Sequence, residues 1–367
     1  MATASDGELE AEKSICPFCG VGCGLTYNED NGKGTGWEAS VNTRGELCPK
    51  GAAAFEMLDA EDRITQPMVR ENGRLVTASW DEAFDRIVDN FEGIIEEYGP
   101  EALGFFASSN CTNEENYLLQ KIARKIGTNT IDNCARLCHA STVAAMGKQL
   151  NVGAMTNTTD DLGEADLFLV CGANPAEQHP VIFNSYIGAA MRDGTEMVAV
   201  DPRENQTASQ ADLHVDVTPG YDIPVLNAMA KVIVEEELHD EEFVAERTEG
   251  FEAFEEHLAD VDVAENAELA GVDEEMIRDA AHRVAEADKV ASFTGMGMSQ
   301  HRYGTDNVHA LINLVLLTGN IGEPGTGVNP LRGQNNVQGA ADVGASPSSL
   351  PGYQSVEDPE VRAEFEE

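Results

Sequence analysis

The chain has 367 residues, with 66 Asp and Glu against 23 Lys and Arg, giving a formal net charge of −43. Charge of that sign and size excludes electrostatic binding of nucleic acid and docking on an anionic membrane. Hydrophobic residues make up 42% and fall in periodic runs, so the chain is not simply disordered, and no stretch approaches the roughly 18 consecutive apolar residues of a membrane span. Its length suits two or three domains. Only eight of the cations are lysines. High acid with low lysine is the composition of a protein from a very salty cytoplasm, where a Debye length of about 3 Å at 1 M salt screens the repulsion. The start, Met1 to Cys16, has neither a charged-then-apolar signal nor paired arginines, so a cytoplasmic location is expected.

In chain order, residues 1–14 read as a disordered acidic leader. Residues 15–60, rich in Gly and Cys, read as a small module folded around a metal centre. An amphipathic helix is predicted from Trp80 to Tyr98, closed by Gly99-Pro100. A strand follows at Leu103–Phe106, then a helix from Glu114 to about Ile126. Between 160 and 330 strands and helices alternate. Asp166–Cys171, Met197–Val200 and Val290–Phe293 read as buried parallel strands, with helices at about 180–192, 222–236, 274–287 and 304–318. This is the pattern of a doubly wound, Rossmann-like α/β sheet, whose ligands bind outside the carboxyl ends of the strands. The acidic helices between 235 and 288 read as a solvated face, with His239, His257 and His282 on the surface.

Eight cysteines in a cytoplasmic chain argue against a disulfide framework. Cys16, Cys19 and Cys23 form C-x2-C-x3-C, and Cys48 follows in Cys48-Pro49-Lys50-Gly51. Four thiolates can bind zinc or an iron–sulfur cluster. Structural zinc favours two C-x2-C knuckles, whereas three clustered cysteines and a remote fourth suit one [4Fe–4S] cubane. Lys50 stands two residues beyond the last ligand, where a cation neutralises local negative charge or meets an anionic cofactor. Cys111, Cys134 and Cys171 read as packing residues.

Asn133-Cys134-Ala135-Arg136-Leu137-Cys138-His139 is the second informative segment. A thiolate is a soft ligand for a heavy metal, and an adjacent histidine can move a proton near neutrality. Arg332 lies in a loop dense with glycines and amides, Asn329 to Gly339. Its planar fork matches a carboxylate, so the loop reads either as an anion-orienting site or as a surface loop.

With these motifs in order, the chain resembles the catalytic (alpha) subunit of molybdenum- or tungsten-dependent formate dehydrogenases, in the molybdopterin oxidoreductase superfamily. The resemblance runs from about Ser14 almost to the last residue. It implies that Cys138 ligates Mo or W, that His139 takes or relays the proton of formate, and that Arg332 holds the formate carboxylate or stabilises the anionic transition state. It implies a metal carried by two molybdopterin guanine dinucleotides. Electrons would pass beside Lys50 to a [4Fe–4S] cluster on Cys16, Cys19, Cys23 and Cys48, then to an acceptor subunit or ferredoxin. On the same reading the strand ends bind the cofactor. Gly172, Asn174 and Glu177 open a helix whose N-terminus suits phosphate. Asp201 accepts from a guanine or ribose hydroxyl, and Met296, Gly297 and Gln300 form a third wall. Gly333, Gln334 and the residues to Gln338 line the cofactor. Helix capping is the plainer reading of Asn174 and Asp201, and His179 is ambiguous between core and cofactor.

The expected domains are residues 1–60, the [4Fe–4S] module; 61–132 with 336–367, an α/β domain with an incomplete second segment; and 133–335, the Rossmann-like dinucleotide-binding domain. Relatives of this type are about twice as long, with a carboxyl-terminal part absent here. The chain is therefore expected to be the amino-terminal half of a split enzyme, completed by a second chain, or a truncated product. The alternatives are a related molybdoenzyme such as an assimilatory nitrate reductase, and a non-catalytic electron-transfer subunit.

Overall fold

In the computed structural model the described residues are 13–28, 32–38, 41–42 and 45–366. The leader expected at 1–14 thus lies outside them up to residue 12. The chain divides into two compact units, one of residues 1–18, 22–136 and 334–367, the other of 19–21 and 137–333.

The second unit is built on five parallel strands. Leu167–Cys171, Glu196–Val200 and Val290–Thr294 are the three strands expected, each apolar almost throughout, as burial on both faces requires. The structure adds Leu213–Val215 and Val328–Pro330 as edges. The spatial order is Leu213–Val215, Glu196–Val200, Leu167–Cys171, Val290–Thr294, Val328–Pro330. Numbered along the chain this is 3-2-1-4-5, so the winding reverses between Leu167–Cys171 and Val290–Thr294. Helices Asp222–Glu235, Glu274–Glu286 and Gly304–Leu317 occupy nearly the expected spans. Their buried residues join the strands in one core.

The helix expected at 180–192 is interrupted. Pro180 restarts it, and Phe183–Ile187 forms a π-turn before Gly188–Asp193 resumes. Proline is at home in a first helical position, and the π-turn lies one turn beyond it. Of the three histidines expected on the surface, His257 is exposed. His282 is half-buried and bonds Glu236 at 2.9 Å, and His239 is half-buried against the Phe251 ring.

In the first unit, Lys13–Ile15, Gly24–Asn28 and Lys33–Gly36 make an antiparallel sheet. Helix Trp80–Tyr98 begins where the Ser79 hydroxyl accepts from the Glu82 amide. Helix Asn113–Ile126 carries a capping box between Thr112 and Glu115 and ends at left-handed Gly127. The expected strand at 103–106 appears as Phe105–Ala107, paired in parallel with Ile131–Asn133. One apolar stripe runs along helix Trp80–Tyr98. Its second half, Phe91, Ile94 and Ile95, packs on Leu103, Phe105 and Ile131. Its first half is bare: Trp80 is 63% exposed and Phe84 55%, with Ile87 and Val88 beside them. Phe106, on the other face of the strand pair, is 92% exposed. No helix among the described residues is long and apolar enough to cross a membrane.

Candidate functional site

At the reversal of winding, two glycine turns meet. Strand Leu167–Cys171 ends in Gly172, at φ +57°, and strand Val290–Thr294 ends in Gly295-Met296-Gly297. The Gly297 amide donates to the Gly172 carbonyl at 2.9 Å. A Cβ on Gly172 would lie 2.7 Å from the Gly297 carbonyl carbon and the Met298 nitrogen, so only glycine permits this approach. Beyond the turns opens a cleft of about 210 Å³, lined by Gly172, Asn174, Asp201, Met296 and Gly297 from the expected residues. Gln178, Arg203, Asp222 and His301 also line it, none of them singled out by sequence. Asp222 was hidden because it follows the three-residue edge strand Leu213–Val215, too short to show a period.

Asn174 is not a side-chain helix cap. Its Oδ1 accepts from the Thr207 hydroxyl at 2.8 Å, and that hydroxyl accepts from the Ala176 amide. The helix after it, Pro175–Gln178, is a single turn. Glu177 is exposed and outside the cleft lining, and so is Gln300, at the end of Met296–Ser299. Asp201 accepts from the Arg203 amide at 2.9 Å. Burial raises its carboxyl above the usual range, against that amide and the Arg203 charge. Asp222 is raised for the same reason, opposed by His301 and reinforced by Asp201. Two carboxyls, the Arg203 guanidinium and the His301 imidazole suit the amides, hydroxyls and phosphates of a nucleotide.

The second cluster in this unit holds Cys138, His139 and Arg332. Cys138 is 6% exposed, and its carbonyl accepts from the Ser299 hydroxyl at 2.6 Å. Gly333 faces its sulfur: a Cβ there would stand 3.9 Å from Cys138 Sγ and 3.7 Å from Met296 Sδ. His139 is fully buried. Its Nδ1 meets the Thr142 hydroxyl at 3.2 Å, and among the described residues its Nε2 makes no hydrogen bond of good geometry. Burial, then the Arg332 charge, then His179, lower its pKa to about 4, against a raising pull from the Leu331 carbonyl. The imidazole is neutral at pH 7, with its Nε2 buried. The Arg332 guanidinium reaches the Gly153 carbonyl.

The cysteine-rich segment is a tight loop. In the first unit the Cys16 amide donates to the Cys23 carbonyl at 2.8 Å, and both side chains are buried. Gly51 leaves its Cβ position 3.7 Å from Cys16 Sγ. Cys48 is the extended residue that starts the helical turn Pro49–Ala52, which carries the exposed Lys50. Cys19 belongs with the second unit and Gln334 with the first. None of the eight cysteines is in a disulfide. Cys134 bonds the Ser109 hydroxyl at 3.0 Å and Cys171 is wholly buried. Among the described residues no three His, Cys, Asp or Glu side chains converge as a ready metal-ion site. Within the first unit, the thiols of Cys16, Cys23 and Cys48 and the glycine at 51 are of the chemistry an iron–sulfur cluster takes. The buried Cys138 thiol, the adjoining Gly333 and the buried His139 Nε2 fit a thiolate-ligated metal cofactor.

A 3-2-1-4-5 parallel sheet with paired glycine turns at the switch point defines a doubly wound α/β protein. Comparison with known proteins narrows the class: the chain belongs to the molybdopterin oxidoreductase family. The family's molybdopterin oxidoreductase domain matches residues 63–365, and its Fe4S4 domain matches residues 9–60. The chain is 44% identical to F420-dependent formate dehydrogenase 1 subunit alpha of Methanococcus maripaludis, over 95% of this chain and 52% of that one. It is 42% identical to formate dehydrogenase H of Escherichia coli, over 96% of this chain and 50% of that one. The chain thus spans about half the length of the curated relatives it matches. Acetylene hydratase from Pelobacter acetylenicus shares the fold, at a TM-score of 0.72 and 23% identity, over 84% of this chain and 43% of that one. The groups its two family domains serve are a [4Fe–4S] cluster and a molybdopterin cofactor.

Proposed function

We propose that the chain is the amino-terminal half of a formate dehydrogenase catalytic subunit, which oxidises formate to CO2, a proton and two electrons. The observation that carries this reading is the grouping of Cys138, His139 and Arg332 in one unit, with the Arg332 charge acting on His139. Arg332 receives the carboxylate through its planar fork. His139, buried and neutral, accepts the proton at Nε2, with Nδ1 held by Thr142. Burial of His139 keeps bulk water from competing for the proton. Cys138 would ligate the metal centre carried by two molybdopterin guanine dinucleotides, which when bound would supply the two-electron acceptor. Mo and W both suit a thiolate ligand. The residues of the nucleotide cleft would hold one dinucleotide, Gly333 and Gln334 would flank the cofactor, and Lys50 would stand beside the cluster of Cys16, Cys19, Cys23 and Cys48.

The rest of the fold would come from further polypeptide. The bare stripe from Trp80 to Val88 and the exposed Phe106 support this, because parallel strands are buried on both faces. A ferredoxin or acceptor subunit would take the electrons. The composition supports a salt-adapted protein of the cytoplasm. The test is anaerobic purification in concentrated KCl with any co-purifying chains, then formate-dependent dye reduction with release of CO2. A preparation that carries heavy metal and reduces nitrate from reduced dye, yet ignores formate, would overturn the reading.

A further inference from the structure

We infer that His179 is a positioning residue for Arg332, holding the Arg332–Gly333 main chain against Gly20 so that the guanidinium is aimed from a fixed root. The inference rests on the reading of Arg332 as the anion-holding residue. His179 is 3% exposed and sits between the single turns Pro175–Gln178 and Pro180–Ile182. Its amide donates to the Pro175 carbonyl at 2.9 Å, and its carbonyl accepts from the Phe183 amide at 3.0 Å. Pro180 restricts its backbone further. The ring therefore projects from a fixed base.

Its Nε2 lies 2.5 Å from the Arg332 carbonyl oxygen. A carbonyl only accepts, so Nε2 must carry the proton and donate. On its other side this carbonyl meets Gly20, where a Cβ would fall 2.2 Å from the oxygen. The Gly20 amide donates to the Gly333 carbonyl at 3.0 Å, and the Leu331 amide donates to the Thr294 carbonyl at 2.8 Å. Three segments thus fix the main chain at 331–333, and the Gly153 carbonyl meets the guanidinium at the far end. Two of them are parts of cofactor-binding loops: the turn after strand Leu167–Cys171, and the peptide between Cys19 and Cys23. Burying an imidazole is costly unless its nitrogens are used, and here Nε2 serves a main-chain carbonyl of the arginine.

The test compares His179→Ala with His179→Gln, whose amide NH2 can replace the Nε2–H donor. In the anaerobic protein with its co-purifying chains, His179→Ala should raise KM for formate about tenfold and lower kcat less. His179→Gln should stay within about threefold of the native value. The second readout is independent of activity: hydrogen exchange at Gly20 and Leu331 should quicken in His179→Ala and be restored in His179→Gln. Should the alanine variant fail to fold, His179→Asn, too short to reach, takes its place against His179→Gln. Identical behaviour of the two substitutions, or unchanged exchange and KM in His179→Ala, would overturn the inference. If exchange responds as expected but the native protein ignores formate, the clamp stands and the formate reading fails.

Discussion

A Cβ placed on Gly333 would stand 3.9 Å from Cys138 Sγ and 3.7 Å from Met296 Sδ, so the buried thiol packs beside a glycine and a flexible methionine. A glycine and an unbranched methionine are the neighbours that can give way to a thiolate-bound metal cofactor. Cys138→Ala should therefore strip molybdenum or tungsten from the purified protein and leave its iron at the level of one cubane. Elemental analysis checks this. Heavy metal retained at the native level in Cys138→Ala would remove Cys138 as the ligand.

The glycine pair at the switch point makes a stability prediction. Gly172→Ala places a Cβ against the Gly297–Met298 peptide at a positive φ. Neither backbone can yield without pulling apart the ends of two central strands. The cost should be about 3 kcal/mol or more of unfolding free energy, read from denaturant titration.

Asp222 gives a pH-dependent prediction. Its buried carboxyl has a raised pKa, first by burial and then by Asp201, so folding disfavours its charged form. Stability linked to this group is full below the unfolded pKa and is lost as pH rises through the folded one. Asp222→Asn should thus raise the melting temperature of the cofactor-free chain by a few degrees near pH 7. The gain should shrink as pH falls into the carboxylate range. A gain that grew on acidification would contradict the sign of the shift.

The charge of −43 predicts salt dependence. Screening shortens from about 10 Å at 0.1 M to about 3 Å at 1 M, so repulsion among carboxylates relaxes. The melting temperature should climb on the order of 10 °C between 0.1 and 2 M KCl. A flat profile in calorimetry would deny the salt-adapted reading.

The bare half of the stripe on helix Trp80–Tyr98 separates association from stability. Phe84 is more than half exposed, so Phe84→Glu should change the stability of the chain alone by only about 0.5 kcal/mol. Phe105→Ala, in the buried cluster with Leu103 and Ile131, should cost roughly 3 kcal/mol or more. If further polypeptide covers the stripe, Phe84→Glu should nonetheless abolish its co-purification.

Much of this was legible in the sequence because long apolar strands and capped helices announce themselves. Leu167–Cys171 and Trp80–Tyr98 are single-period segments bounded by glycine. The edge strands Leu213–Val215 and Val328–Pro330 were not, since three residues show no period and one of them is proline. Missing them also hid Asp222 and part of the cleft. Cys138 and His139 could be read as a pair because they are adjacent, and Arg332 stood out in its amide-rich loop. His179 stayed ambiguous because its role is a contact with a main-chain carbonyl 153 positions away, which no side-chain pattern records.

The most direct test of the account is low-temperature electron paramagnetic resonance after formate is mixed with the oxidised, anaerobic protein and its co-purifying chains. The account predicts a reduced [4Fe–4S] signal in the native protein. In Cys138→Ala, formate should leave the cluster oxidised while dithionite still reduces it. A native cluster that dithionite reduces and formate does not, in protein carrying its heavy metal, would contradict the account.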